Sequence, residues 1–144
     1  MGPVLLVAAL WLGGAPAVAQ VPTGETWGMG TFAARGVDAN TLATFRDLLR
    51  DELRARMDVR FVDVPTPCQD VECVRGAAAG TGATVVVHAS VSALGSKLVV
   101  SVNTADVATG GSRFSQRMNA AGPEELDVIA SRMAEAMATG TSTE

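Results

Sequence analysis

The sequence contains no tyrosine, and only four Phe and two Trp in 144 residues. A core must therefore be assembled from Val, Leu, Ala and Met, and a binding surface lacks the Tyr anchors that many interfaces rely on. Histidine occurs once, at His88, so a single side chain has an ordinary pKa near neutrality. Eleven Lys and Arg stand against fifteen Asp and Glu, a net charge of −4. That balance argues against a duplex nucleic-acid binder, which needs a basic face, and against adsorption to anionic membrane. No apolar run approaches the roughly 20 residues of a spanning helix. Paired catalytic acids and bases, an activated nucleophile and a metal-ligand set are also missing, so no cofactor, metal or catalytic residue is expected.

What is present begins with a leader pattern. Met1-Gly2-Pro3 precedes the apolar run Val4 to Leu12, then Gly13-Gly14-Ala15-Pro16, then Ala17-Val18-Ala19. An apolar segment, a helix-breaking stretch and an A-x-A site form the pattern of a signal peptide cleaved near Ala19. No Lys or Arg precedes the run, which leaves an uncleaved anchor as the alternative. The expected division is a signal peptide over 1–19, a flexible amino terminus over 20–26, one domain over 27–138 and a disordered tail over 139–144.

Export makes the two cysteines informative, because oxidising compartments favour disulfides. Cys68 and Cys73 are five apart. In one regular helix such a pair lies roughly 8–9 Å apart at Cα, beyond the roughly 7 Å that a disulfide bridges. A bond therefore requires Cys68 in a loop or distorted first turn, with Cys73 in the helix. The alternatives are a redox pair or a metal site. The spacing is not C-x-x-C, and two Cys with one His make a poor zinc set.

Hydrophobic periodicity orders the rest. Trp27 to Ala33 reads as a strand, followed by Gly36 and a candidate N-cap at Asp38. Over Thr41 to Met57 the residues Leu42, Phe45, Leu49, Leu53 and Met57 recur at helical steps, and Leu48 widens the stripe. Arg60 to Val64 is a short strand bounded by Pro65 and Pro67. Thr66-Pro67-Cys68-Gln69 has the form of a capping box, predicting a helix to about Ala79. Ala83 to Ser92, Lys97 to Val107 and Ser112 to Met118 form an antiparallel meander, with Phe114 and Met118 inward. Pro123-Glu124-Glu125 opens a last helix carrying Leu126, Ile129, Met133 and Met137. The order β-α-β-α-β-β-β-α predicts an α/β (α+β) fold, a mixed β-sheet of about five strands with three helices.

Several of these segments together resemble the TolB amino-terminal domain and the CsgG-like curli-secretion α/β domains of bacterial envelopes. The features are the Trp27 to Phe32 strand before Gly36-Val37-Asp38 and a long helix, then Arg60-Phe61-Val62-Asp63-Val64, then the Cys68/Cys73 pair. Gly82 to Val91, the Leu94-Gly95 turn and Asp106-Val107-Ala108-Thr109-Gly110 complete the pattern. It covers nearly all of Trp27 to Met137. The resemblance implies the fold and an envelope setting; no propeller, lipid-accepting Cys or channel hairpin accompanies it, and no active-site residue carries over.

Each remaining candidate has a plain structural alternative. His88 shares a strand face with Val86 and Ser90; it is either a general base or a polar sheet residue, and nothing nearby in sequence orients it. Gly28-Met29-Gly30 looks like part of a dinucleotide fingerprint, but the residues before it are polar and no helix opens on it, so the glycines belong to a strand. Gly76 to Gly82 fails differently, because it follows a helix and enters a strand. Arg46, Arg50 and Arg54 form a stripe whose field Asp47, Asp51 and Glu52 largely cancel. Met133 and Met137 read as core. The expected function is a periplasmic or secreted interaction module of an envelope assembly or transport system, binding a protein partner without catalysis. The alternatives are a small-ligand-binding domain, or a hydrolase or redox enzyme using His88 or the Cys68/Cys73 pair.

Overall fold

The helical period over 41–57 is realised as α1 (Ala39–Arg56) in the computed structural model, which describes residues 24–140. The signal peptide and cleavage site expected over 1–19 lie outside the described residues, as do 20–23 and 141–144. Asp38 caps α1 as expected: its carboxylate accepts from the Thr41 backbone N–H at 2.7 Å. Phe45, Leu49 and Leu53 are fully buried, and Asp47–Arg50 and Glu52–Arg56 pair along the outer face.

The remaining elements are β1 (Glu25–Gly30), β2 (Ala33–Arg35), β3 (Val59–Val64), α2 (Val71–Ala78), β4 (Val85–Leu94), β5 (Lys97–Asp106), β6 (Ser112–Ala120) and α3 (Leu126–Thr139). A 3-10 turn over Pro123–Glu125 leads into α3. The sheet runs β3-β1-β4-β5-β6, with β2 beside β4. β1, β2, β3 and β4 are mutually parallel where they pair, and β4, β5 and β6 form the expected antiparallel meander. The fold class is the mixed α/β one that the pattern predicted, with six strands in place of five.

The extra strand comes from a break in the first. Phe32 turns its ring into the core beside Phe45, with centroids 6.0 Å apart, while Thr31 turns to the loop before α2. The ladder with β4 is interrupted there and resumes at Ala33–Ser90. β1 also begins earlier than Trp27. Glu25 and Thr26 lie opposite Val59 and Arg60, and the Glu25 carboxylate accepts from Trp27 Nε1 and Thr84 Oγ1, each at 3.1 Å. The carboxyl-terminal helix extends through Thr139 and ends at Gly140, whose φ of 74° few other residues adopt.

Two crossovers of one hand that move in opposite directions place their helices on opposite faces of the sheet. β1 to β3 steps one way, and β3 to β4 passes back over β1. α1 and α3 accordingly share one face, where Trp27, Met29, Val85, Val87, Ala89, Val91, Val100 and Val102 meet Leu49, Ile129 and Met133. α2 packs on the other, over Val64, Ala83, Val86 and Ala105. It comes so close that a Cβ at Gly30 would stand 2.6 Å from Val74 Cγ2. Gly28 and Gly30 are thus strand glycines, as expected; Gly30 admits α2, whereas a Cβ at Gly28 would meet Val64 Cγ2 at 3.1 Å.

The capping-box expectation is corrected. α2 begins at Val71, not at Pro67, and its cap is Asp70, whose carboxylate accepts from Cys73 N–H at 2.8 Å. The reason is tertiary. The Thr31 hydroxyl donates to the Thr66 carbonyl and accepts from Cys68 N–H, both at 3.2 Å. Residues 66–68 are pinned to the end of β1 and cannot close a helical turn.

Candidate functional site

Three features collect the candidate residues: the disulfide loop with His88, a cleft at the ends of the parallel strands, and the half of the sheet that α2 leaves uncovered.

Cys68 sits in the loop before α2 and Cys73 in its first turn, joined as a disulfide with Cα atoms 5.5 Å apart. The distance meets the geometric limit because only one partner is helical. His88, on β4, projects from the α2 face toward this loop. Its Nε2 lies 3.3 Å from the Cys68 carbonyl oxygen. A carbonyl can only accept, so Nε2 carries the proton and the imidazole is a donor. Phe32 meets the ring edge-on, at 6.4 Å between centroids. The residue is only 3% exposed. Burial pushes the His88 pKa below its ordinary value, against the smaller opposing effects of the Cys68 carbonyl and the Asp70 charge. The neutral imidazole thus braces the disulfide loop against the sheet. Ser90, on the same strand face, is not its hydrogen-bond partner.

The cleft lies where β1 and β3 end beside the first turns of α1. Thr31, Phe32, Leu42, Arg46, Asp63 and Pro65 line a volume of about 380 Å³. Arg46 crosses its floor. It donates to the Gly30 carbonyl at 3.0 Å and the Met29 carbonyl at 3.1 Å, and to Asp63 at 2.9 Å. The hydrogen bond from Arg46 holds the Asp63 carboxyl below the usual carboxylate range. This is the carboxyl end of parallel strands flanking the point where the chain order reverses, a common place for a ligand in open α/β sheets.

The arginine stripe is dispersed by its partners. Arg46 serves the strand ends, Arg50 pairs with Asp47, and Arg54 lies 5.8 Å over the Phe61 ring. Met133 and Met137 are core, as expected. Thr31 and Asp70 went unread as structural residues in the sequence. The Asp70-x-x-Cys73 spacing was an available N-cap signal, hidden by the competing box at Thr66. For Thr31 no local signal exists, since its partners are 35 and 37 residues away.

The uncovered half-sheet is polar. Ser90 and Ser92 on β4, Ser101 and Asn103 on β5, and Ser115 and Arg117 on β6 share the face that α2 covers over β3, β1 and the first part of β4 and, on β5, around Ala105. The Ser115 hydroxyl donates to Asn103 Oδ1 at 2.7 Å. Among the described residues, no three His, Cys, Asp or Glu side chains are grouped to hold a metal ion, and no helix is long and apolar enough to cross a membrane.

No protein-family model and no curated protein matches the chain. Solved structures do match its fold. A PelC dodecamer from Paraburkholderia phytofirmans aligns with a TM-score of 0.58 at 14% identity, over 85% of this chain and 96% of that one. TolB from Acinetobacter baumannii aligns at 0.62 and 10% identity, over 83% of this chain and 29% of that one. The carboxyl-terminal domain of LpoB from Salmonella enterica aligns at 0.56 and 19% identity, over 69% of this chain and 84% of that domain. The TolB-like fold inferred from the segment pattern is therefore shared by solved structures. At these identities the likeness is one of fold.

Proposed function

We propose that this chain is an exported module of the bacterial cell envelope that binds a protein partner without catalysing a reaction. The observation that carries the reading is the one-sided cover of the sheet. α1 and α3 close one face, whereas α2 closes half of the other, leaving a polar platform around Ser101 and Asn103. Such a platform offers donors and acceptors to a protein surface, around a polar depression of about 330 Å³ lined by Ser101, Asn103, Ser115 and Arg117. The lone imidazole supports the same reading, since His88 is buried and donates to a main-chain carbonyl. The resemblance to TolB and CsgG-like domains implies the envelope setting, and the leader pattern implies export to the periplasm or beyond after cleavage near Ala19. The kinship with CsgG-like domains rests on the sequence pattern alone.

A photo-reactive residue at Ser101, in the source cells, tests this. One envelope protein should be captured from that position and not from Asp51 on the outer face of α1. Equal capture from both positions, or none from Ser101, overturns the platform. Loss of biological activity in a folded His88→Ala variant would return the protein to the enzymes.

The cleft favours a second reading, a small-ligand site. Its lining is apolar at Phe32 and Leu42, and Arg46 and Asp63 supply two fixed charges. A co-purifying molecule, lost on Leu42→Trp substitution, would establish it.

A further inference from the structure

Acidic side chains are scarce on the open half of the sheet. The chain carries a net charge of −4, yet β2, β4, β5 and β6 contain one acidic residue, Asp106, against the cations Arg35, Lys97, Arg113 and Arg117. Asp106 lies at the end of β5 and holds Arg113 at 2.7 Å, and Arg113 also reaches Glu25. Arg46, Arg50, Arg56 and Arg75 have carboxylate partners too. Arg35 and Arg117 differ. Both are exposed, and among the described residues neither guanidinium has an ion-pair partner.

These two arginines flank the polar platform. Arg35 lies beside Ser92 of β4, and Arg117 lies opposite Ser101 of β5. Arg35 borders a polar depression of about 250 Å³ with Gln69, Ser90 and Ser92. Arg117 borders the larger one, with Ser101 and Asn103. Three strand spacings separate β2 from β6, about 14 Å in all. Hydroxyl and amide groups fill the interval, and Asp70, next to Gln69, is engaged as the cap of α2.

That spacing narrows the ligand. One phosphate or sulfate cannot meet two guanidinium groups about 14 Å apart. Anionic membrane is recognised by clusters of about four to eight basic residues, and the net charge of the chain opposes it. Nucleic acid demands a dense row of phosphate contacts. A sugar chain packs its C–H faces on aromatic rings, and neither depression has one. A protein segment with two carboxylates fits. Each guanidinium takes one carboxylate as a bidentate pair, and an extended chain covers the span in about four residues.

We propose that the platform binds an acidic segment of its protein partner, two of whose Asp or Glu side chains pair with Arg35 and Arg117. The assignment rests on the platform as the protein-binding face and adds the chemistry of the partner. Exposed ion pairs are individually weak, so the arginines act mainly on encounter and on the choice of partner.

Photo-capture from position 101 in the source cells, repeated in an Arg35→Glu/Arg117→Glu protein, tests it, with circular dichroism to verify each fold. An Arg60→Glu/Arg132→Glu protein carries the same charge change at exposed positions on β3 and α3. Capture should fall about tenfold in the first variant and stay unchanged in the second. The captured segment, mapped by mass spectrometry, should contain Asp or Glu near the cross-link, and changing those residues to Arg should restore capture by the Arg35→Glu/Arg117→Glu protein. Undiminished capture by that protein, an equal loss in both variants, or a captured segment without acidic residues would overturn the acidic partner and leave the platform a protein-binding face. No capture by the native chain would remove both. Phosphatidylglycerol vesicles and polygalacturonate, titrated into the purified native chain, should not shift the Ser101 and Arg117 amide resonances. Saturable shifts that vanish in the Arg35→Glu/Arg117→Glu protein would assign the arginines to lipid or glycan and overturn the proposal.

Discussion

The Nε2 of His88 lies 3.3 Å from the carbonyl oxygen of Cys68, so the lone histidine of the chain donates to the main chain of the disulfide loop. A strand in the middle of the sheet thereby holds the entrance of a helix on its face. The consequence is a coupling between pH and stability. Above about pH 6.5 the imidazole is neutral both folded and unfolded. As pH falls, the unfolded chain takes up its proton first, because burial lowers the pKa in the folded state. Stability is therefore full above the ordinary value and is lost as pH falls from about 6.5 through the folded pKa. Urea midpoints measured between about pH 8 and pH 5 should decline in the native protein and flatten in His88→Gln. His88→Ala should cost about 1–3 kcal/mol at neutral pH, since it orphans a buried carbonyl and opens a cavity.

The Cys68–Cys73 bond closes a short ring. In the chain-entropy account so small a loop contributes about 2 kcal/mol. A Cys73→Ser variant should lose about that much in denaturant unfolding, with the same slope against denaturant if so small a ring leaves the surface exposed on unfolding unchanged. Amide exchange should accelerate first at the α2 amino terminus, which Asp70 then caps alone. A loss spread evenly over the sheet would show that the bond acts elsewhere.

Gly30 and Val74 occupy one space. A methyl group at Gly30 would stand 2.6 Å from Val74 Cγ2, so Gly30→Ala should destabilise by about 1–3 kcal/mol through overpacking. In a Val74→Ala background the added methyl has room. The double variant should then be more stable than the sum of the single losses by at least about 1 kcal/mol. Strict additivity in that cycle would refute the steric account.

Arg46 and Asp63 form an ion pair, yet the two ends are unequal. The Asp63 side chain is 69% exposed, so Asp63→Asn should cost no more than about 1 kcal/mol. Arg46 also donates to the Met29 and Gly30 carbonyls, and Arg46→Ala should cost about 1–3 kcal/mol more than the asparagine variant. Thermal unfolding of the two variants side by side distinguishes a strand-end clamp from a surface salt bridge; equal losses would favour the latter.

Much of this arrangement was legible in the residues. The 3.6-residue period of Phe45, Leu49 and Leu53, and the two-residue period of Val85, Val87, Ala89 and Val91, each describe a face that had to be buried, and each is buried. The requirement that Cys68 lie outside the helix followed from the dimensions of a helix alone. What escaped was held by distant partners. Thr31 stops the helix that Thr66 and Pro67 signal, and Glu25 enters the sheet because Thr84 and Arg113 receive it.

The sequence by itself determined the element order, the apolar faces, the cap at Asp38 and the disulfide partners, because each depends on neighbours within one or two turns of chain. The tertiary structure alone decided where α2 starts, why Gly28 and Gly30 are glycine, what His88 does, and which half of the sheet stays open. Those outcomes depend on groups tens of residues apart meeting at one place, and local spacing carries no record of that meeting.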